Sequence, residues 1–190
     1  MFDEQRCENV SDEDLVTRSL QERDFFGCII KRYEAKLLRY ILRITSVSYH
    51  EAQDLLQDSF VKAYVNLNAF DTDLKFSSWM YRITYNHVIS SYRKKHIRPE
   101  GNIADIEDDV LERIASDEDI LLDMEKSQQR KFLHTSLRAL PDAYREVLIL
   151  YFFEEKDYRE ISDIIQKPMG TVATLLSRAK KKLRDIHTKG

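Results

Sequence analysis

Apolar residues recur along most of the chain at the three- and four-residue spacing of amphipathic helices. Between residues 25 and 42 they occupy Phe25, Phe26, Ile29, Ile30, Tyr33, Leu37, Leu38, Ile41 and Leu42. Two capping-box patterns predict helix starts, one at Ser11–Asp14 and one at Ser48–Glu51, and the second helix should run through about Leu67. Only 4 Gly and 3 Pro interrupt these patterns. The sequence therefore predicts an all-α protein.

A basic and aromatic run, residues 76–98, forms the next predicted helix. From Lys75 to Arg98 there are six Lys/Arg and no Asp or Glu. Its aromatic members are Phe76, Trp79, Tyr81, Tyr85 and Tyr92. Two interpretations stay open. The rings form two helical stripes and can be core residues, or they can offer stacking surfaces beside phosphate-neutralising charges.

A strongly acidic stretch separates two helical blocks. Pro99 and Gly101 break the preceding helix, and residues 100–125 hold eleven acids against one basic residue. This stretch is weakly periodic. We predict a flexible acidic linker over residues 99–125, between one small helical domain at 11–98 and a second at 126–187.

The second block ends in a helix-turn-helix pattern. Helices predicted over 158–165 and about 168–186 are separated by only Gln166-Lys167. In such motifs the second helix lies in the major groove of duplex DNA. Thr171, Thr174, Ser177 and Arg178 would face bases, and Lys180, Lys181, Lys182 and Arg184 would face phosphates. A plain helical hairpin is the alternative.

The charge distribution and the two cysteines indicate in which cellular compartment the protein is expected. The net charge is -3, but the first 30 residues carry eight acids against three Lys/Arg, and residues 175–190 carry six Lys/Arg against one acid. No apolar run approaches 18 residues, so no membrane insertion is expected. The acidic N-terminus lacks a signal peptide's apolar stretch. Cys7 and Cys28 lack metal-ligand spacing, and Cys28 is expected to be a core thiol in a reducing cytoplasm.

Catalytic motifs are missing from the sequence. Asp54 and Asp58 share a helical face near Glu51 and Gln57. Such carboxylates can bind a metal, perform acid–base catalysis or dock a basic partner. No phosphate loop, Ser/His/Asp arrangement or cofactor motif accompanies them. We therefore expect that the protein is not an enzyme and binds no cofactor, metal or small-molecule substrate.

Three segments together resemble conserved regions 2 and 4 of bacterial RNA polymerase sigma factors. They read AQDLLQDSFVKAYVNLNAF, KFSSWMYRITYNHVISSYRKK and LPDAYREVLILYFFEEKDYREISDIIQKPMGTVATLLSRAKKKL. The size matches the extracytoplasmic-function (ECF) type, and the resemblance covers roughly residues 11–98 and 127–186. It implies a protein that binds core RNA polymerase and promoter DNA, and that an anti-sigma factor commonly holds inactive.

The resemblance also implies specific contacts. Region 2 would dock on the polymerase through Asp54, Gln57 and Asp58. It would open the promoter's minus-10 element and hold an unstacked base. The residues implied for that element are Lys62, Asn66, Phe70, Asp71, Lys75, Asn86, Arg93, Lys94 and Lys95. Those implied for reading the minus-35 element as duplex are Thr171, Ala173, Thr174, Ser177, Arg178, Lys180 and Lys181.

Some positions depart from the family pattern. The usual Gly-Asp before the first long helix reads Gln21-Glu22, and the usual turn glycine is Gln166. Ala173 and Leu175 replace residues that are usually basic, so the base contacts should be unusual. Two other functions compete with a sigma factor: a stand-alone helix-turn-helix regulator, and a metal-dependent enzyme using Glu51, Asp54 and Asp58.

Overall fold

The computed structural model describes residues 7, 9–72, 74–97, 133 and 135–188. In these ranges all regular structure is helical, as the sequence predicted. The helices are α1 (Asp12–Gln21), α2 (Asp24–Ile44), α3 (Tyr49–Val65), a 3-10 turn (Leu67–Ala69), α4 (Phe76–Ile97), α5 (Asp142–Phe152), α6 (Tyr158–Ile165) and α7 (Met169–His187). The predicted linker, 99–125, lies outside the described residues.

The described residues divide into two compact units. The first contains α1, α2 up to Ile41, α3 from His50, and α4, together with residues 163–165. The second contains residues 42–49, α5, most of α6, and α7. Each unit has its own apolar core. The chain thus supplies two helical bodies, each of which presents separate surfaces for binding.

The first unit begins with a capped helix. Ser11 is the N-cap of α1, and its hydroxyl accepts a hydrogen bond from the Asp14 N–H at 3.1 Å. Three acidic residues in the first turn suit the positive end of the helix dipole. Leu15 and Val16 are fully buried. The predicted start of this helix is therefore confirmed, with the cap supplied by the Ser11 side chain.

Helix α3 follows its predicted pattern closely. It begins at Tyr49, within the predicted capping box, and ends at Val65, two residues before the predicted end. The side chains that it buries are Ala52, Leu55, Leu56, Ser59, Phe60 and Ala63. The chain then tightens into the 3-10 turn, whose Leu67 is buried. The opposite face of α3 is left open to solvent.

The second unit is built around α5 and α7, which pack on each other. Asp157 caps α6 in a complete capping box, since it accepts from the Glu160 N–H while the Glu160 carboxylate accepts from the Asp157 N–H. The apolar residues of α6 and α7 that are buried in the second unit are Ile161, Val172, Leu176 and Ala179. Leu175 is only half-buried.

The expectation of a free core thiol at Cys28 is wrong. Cys28 is buried, with 3 % of its surface exposed, but it forms a disulfide with Cys7 across a Cα–Cα distance of 5.5 Å. The cause is local. Arg32 donates hydrogen bonds to the carbonyls of Cys7 and Val10 at 3.2 and 3.0 Å, which holds the segment before α1 against α2. No periodic pattern in the sequence reports that docking.

The turn between α6 and α7 has a strained residue. Gln166 adopts a left-handed conformation with φ 53° and ψ 49°, the conformation that glycine adopts without steric cost. The turn is closed by backbone bonds from Gln166 and Lys167 to the Ser162 carbonyl, and by the Ser162 hydroxyl, which donates to the Lys167 carbonyl at 2.6 Å. The turn therefore keeps its usual shape without the glycine.

Replacing Gln166 with glycine should stabilise the second unit by about 1 kcal/mol, because glycine relieves the cost of a side chain at positive φ. Urea unfolding of the variant would measure the change. Lys167→Gly is the matched control. Lys167 has no positive φ, so glycine there should destabilise by up to about 1 kcal/mol through backbone entropy. Equal effects at the two positions would contradict the assignment of strain to Gln166.

Candidate nucleic-acid interfaces

The aromatic residues of α4 belong largely to the core of the first unit. Phe76, Trp79, Tyr81 and Tyr85 are buried. The Phe76 and Trp79 ring centroids lie 5.5 Å apart. Of the two interpretations of this run, the structure supports the core. The rings of these four residues help to position α4, while Tyr92, nearer its end, is half-buried.

Phe70, which the family resemblance assigns to the minus-10 element, also lies in this core. Only 7 % of its surface is exposed, and its ring centroid lies 5.3 Å from those of both Phe76 and Trp79. Its apolar surface is more stable buried among these rings than exposed. Phe70 anchors the loop before α4, and its polar neighbours Asn68, Asp71, Thr72 and Lys75 are exposed.

The other minus-10 residues lie on the surface where the structure describes their side chains. Those exposed to solvent are Lys62, Asn66, Asp71, Lys75, Asn86, Arg93 and Lys94. The Asn66 side-chain amide donates to the Lys62 carbonyl at 2.8 Å, which ties it to the end of α3. The Lys95 side chain lies outside the described residues. Exposed cations and amides around an anchored loop can contact both phosphates and an exposed base.

An acidic face runs along the solvent side of α3. Asp54, Gln57 and Asp58 are all exposed. The face continues one and two turns further with Val61 and Val65, which are 61 % and 69 % exposed. Neither valine was predicted to be exposed, although both fall outside the apolar stripe of this helix. A face combining carboxylates with exposed apolar groups fits a basic protein partner that also buries apolar surface.

His87 links α4 to the acidic face. Its Nε2 lies 3.4 Å from an Asp58 carboxylate oxygen, and 13 % of its side chain is exposed. Burial of the imidazole, followed by the positive charge of Lys62, lowers the pKa of His87, and the Asp58 carboxylate only partly opposes this. The neutral imidazole is therefore the form that the folded protein prefers.

The pKa of His87 should make stability fall in mild acid. Because its folded pKa lies below the ordinary value of about 6.5, the unfolded chain binds the extra proton more readily. Stability from this group is full above about pH 6.5 and declines as the pH falls towards the folded pKa, by at most about 1.4 kcal/mol per pH unit. Urea unfolding of wild type and His87→Gln at pH 7.5 and 5.5 would measure the loss. An equal loss in both proteins would refute it.

Helix α7 presents one polar face to solvent. Thr171, Thr174, Ser177, Arg178 and Lys181 are exposed, while Ala173 is half-buried. The Thr174 hydroxyl donates to the Gly170 carbonyl at 2.8 Å, leaving its oxygen free to accept. The opposite side of α7 is the core of the second unit. This separation gives α7 the exposed polar surface that a recognition helix needs.

Lys180 differs from the other predicted phosphate contacts. Its Nζ lies 4.7 Å from the Tyr151 ring centroid and 5.2 Å from that of Phe152. A lysine over aromatic faces gains a cation–π interaction and loses freedom to reach outward. Lys180 therefore braces α7 against the end of α5 in this structure. The sequence showed its charge but not its neighbours.

The metal-enzyme alternative receives no support from the described part of the chain. Within those residues no group of three or more His, Cys, Asp or Glu side chains is placed to hold a metal ion. The Asp54 carboxylate instead lies 3.4 Å from the His50 imidazole, on the same exposed helix face.

No described helix is both long and apolar enough to cross a membrane.

Comparison with known proteins matches both units. The family model of sigma-70 region 2 matches residues 29–97, and that of sigma-70 region 4 matches residues 133–183. The ECF RNA polymerase sigma factor SigW of Bacillus subtilis is 35% identical over 174 residues, covering 86% of this chain and 89% of that protein. The chain belongs to the ECF family of RNA polymerase sigma factors.

A second curated relative and a solved structure extend the comparison. The RNA polymerase sigma-H factor of Pseudomonas aeruginosa is 31% identical over 181 residues, covering 90% of each chain. Among solved structures, CnrH in complex with the cytosolic domain of CnrY superposes with a TM-score of 0.69 at 20% identity, covering 95% of this chain and 99% of CnrH. That likeness shows a shared fold. Because the curated relatives align across both units, a stand-alone regulator is not favoured.

Proposed function

We propose that this ECF sigma factor binds core RNA polymerase with its first unit and reads a promoter with both. The observation that carries this proposal is the exposed polar face of α7, which follows a tight helix-turn-helix turn and has a packed apolar face behind it. Such a helix reads duplex DNA from the major groove. In this proposal α7 reads the minus-35 element. Residues 11–98 and 126–187 are the two functional domains, and 99–125 is the linker.

At the minus-35 element, Thr171, Thr174, Ser177 and Arg178 meet base edges. Lys181 meets phosphate and positions the helix without specifying sequence. Ala173 contributes at most an apolar contact, such as one with a thymine methyl group. A recognition helix with few charged base contacts depends more on phosphate contacts and DNA shape. We therefore expect the preferred minus-35 sequence to differ from those of more basic relatives.

At the minus-10 element, the exposed groups around the loop of residues 68–75 hold an unstacked base. Extruding a base costs a few kcal/mol, which contacts in a pocket must offset. Lys62, Asn66, Asp71, Lys75 and Asn86 supply polar groups at this edge, while Arg93 and Lys94 neutralise phosphates beyond it. The buried cluster of Phe70, Phe76 and Trp79 supports the proposal, because it holds the backbone at Phe70 in place before DNA binds.

Docking on core polymerase uses the acidic face of α3. Asp54, Gln57 and Asp58 provide charge that a basic surface on the polymerase attracts, and Val61 and Val65 add apolar area. Charge complementarity of this kind steers association and fixes the register of docking. An anti-sigma factor that covers this face or the face of α7 would hold the protein inactive.

The proposed setting follows from the partners. Core polymerase and promoter DNA place the protein in the bacterial cytoplasm. The family consists of transcription initiation factors and not of enzymes, and we propose that this chain likewise has no catalytic activity and no cofactor. Polymerase supplies the chemistry of RNA synthesis, and the sigma factor supplies the choice of start site.

Transcription in vitro tests the proposal. Purified protein would be added to sigma-free bacterial core polymerase on genomic DNA fragments, and transcript starts would be mapped. Discrete new starts that share two upstream motifs are the expected result. A folded protein that neither binds core enzyme nor produces new starts would overturn the proposal.

A further inference from the structure

The segment before α1 is held on α2 by one covalent bond and several weak polar contacts. Cys7 is bonded to Cys28, and Arg32 contacts the Cys7 and Val10 carbonyls and the Asp12 carboxylate. Cys28 and Arg32 are one turn apart on α2, so all these contacts fall on the same face. Because the polar contacts are partly exposed, they stabilise the docked segment only weakly. The disulfide is the strong link.

The start of α4 is contacted by residues next to this docked segment, one in α1 and one in α2. The Glu13 carboxylate accepts a hydrogen bond from the Phe76 N–H at 3.0 Å and so caps the positive end of α4. The Tyr33 hydroxyl donates to Asp12, while the Tyr33 ring lies edge-on to Phe76 with centroids 5.8 Å apart. Burial, followed by the hydrogen bond to Asp12, raises the pKa of Tyr33 and keeps that hydroxyl a donor. Both Glu13 and Tyr33 contact Phe76.

Phe76 also contacts Phe70, in the loop that precedes α4. Its ring packs on Phe70 inside that loop and on Trp79 one turn later, and α1 packs against both α4 and the 3-10 turn at Leu67–Ala69. If α1 were held less firmly on α2, the contacts from Glu13 to Phe76 and from Phe76 to Phe70 would therefore weaken as well. We propose that Cys7 and Cys28 form a reversible thiol–disulfide site whose oxidation state controls how firmly α1 holds this end of α4.

The two cysteines differ in ways that suit reversible exchange. Cys7 is partly exposed, while Cys28 lies inside the core, so Cys7 is the one that a dissolved thiol approaches first. A reduced Cys28 still suits that position, because a free thiol packs like a small apolar side chain. Disulfides are rare in cytoplasmic proteins, and those that occur there are typically transient or redox-sensing. This part of the argument, and any consequence for promoter opening, rests on the proposed function.

The chemistry is thiol–disulfide exchange with small disulfides and dithiols. In the reductive direction a thiolate of the dithiol attacks Sγ of Cys7, and Cys28 leaves as a thiolate that takes up a proton. The second thiol of the reductant then displaces Cys7 and forms the reductant's own disulfide. In the oxidative direction, glutathione disulfide accepts the two electrons and is released as two glutathione molecules.

Two physical readouts on the full chain test the proposal without polymerase or DNA. Deuterium exchange would follow the backbone amides of α1, and acrylamide quenching would follow Trp79, which is the single tryptophan of the sequence. Each would be measured after treatment with glutathione disulfide and after treatment with dithiothreitol. Cys7→Ser, which keeps the buried Cys28, is the matched control.

We expect mass spectrometry to find one intramolecular disulfide after oxidation. Reduction should then cause loss of exchange protection in α1 and stronger quenching of Trp79 in wild type, with neither change in Cys7→Ser. A folded wild-type protein that keeps two free thiols in glutathione disulfide would overturn the site. A disulfide whose reduction changes neither readout, or equal changes in Cys7→Ser, would overturn its control of α4. Failure here leaves the transcription experiment untouched, and failure of transcription leaves these readouts interpretable.

Discussion

Reversing both carboxylates of the α3 face, with Asp54→Arg and Asp58→Arg, should weaken binding to core RNA polymerase by about 3 kcal/mol, roughly 100-fold in Kd. Both side chains are exposed, so the reversal introduces repulsion from a basic partner and does not create a buried charge. Binding of labelled protein to sigma-free core enzyme would measure it. The double variant also loses the 3.4 Å contact between Asp58 and His87, but this loss should lower folding stability much less than the charge reversal lowers binding.

A charge-matched control separates docking from general electrostatics. Glu22→Arg with Glu34→Arg makes the same change in net charge at two exposed acids outside α3. We expect that double variant to bind core enzyme nearly as well as wild type. If the α3 variant is folded and keeps its affinity, or if both double variants lose affinity equally, the docking face lies elsewhere on the protein.

Removing the side chain of Arg178 from the recognition helix, with Arg178→Ala, should reduce binding to the preferred minus-35 sequence by about 1–3 kcal/mol. Arg178 is exposed on the polar face of α7, where its fork of donors can bond a guanine edge in two places. The loss should be large for the preferred sequence and small for sequences altered at the contacted base pair. Promoter binding by the polymerase complex on such a panel would measure both.

Lys182→Ala is the comparison for that experiment. Lys182 is also exposed on α7, and a phosphate contact there should weaken all sequences about equally and reduce the salt dependence of binding. If Arg178→Ala behaves in the same uniform way, Arg178 is a phosphate contact. The specificity of the helix would then rest on Thr171, Thr174 and Ser177.

Helix positions were largely predictable from local pattern. The predicted helix at 158–165 matches α6, the basic-aromatic run matches α4 to within one residue, and α3 begins and ends within two residues of its predicted bounds. These successes share a cause: an amphipathic helix must bury its apolar stripe, so its period and caps are written in neighbouring residues. The left-handed turn at Gln166 was the position where the usual glycine was missing.

Burial of individual side chains was harder to predict, since it depends on residues distant in sequence. Phe70 follows α3 and was assigned to DNA contact, but the rings of Phe76 and Trp79 enclose it. Lys180 carries the charge expected of a phosphate contact, yet it lies over Tyr151 and Phe152 from another helix. The exposed Val61 and Val65 were the reverse case, apolar residues with no core to enter.

The sequence by itself determined an all-α chain, the helix-turn-helix, the segregation of charge and, through three segments, membership of the ECF sigma family. Each is a property of residues close together in the chain. Only the tertiary structure decided that Phe76, Trp79, Tyr81 and Tyr85 are core residues, that Cys7 is bonded to Cys28, and that Glu13 caps α4 at Phe76. These pairings join positions 21 and 63 residues apart. They depend on how α1 and the segment before it pack on α2 and α4, and the spacing of residues along the chain does not show that packing.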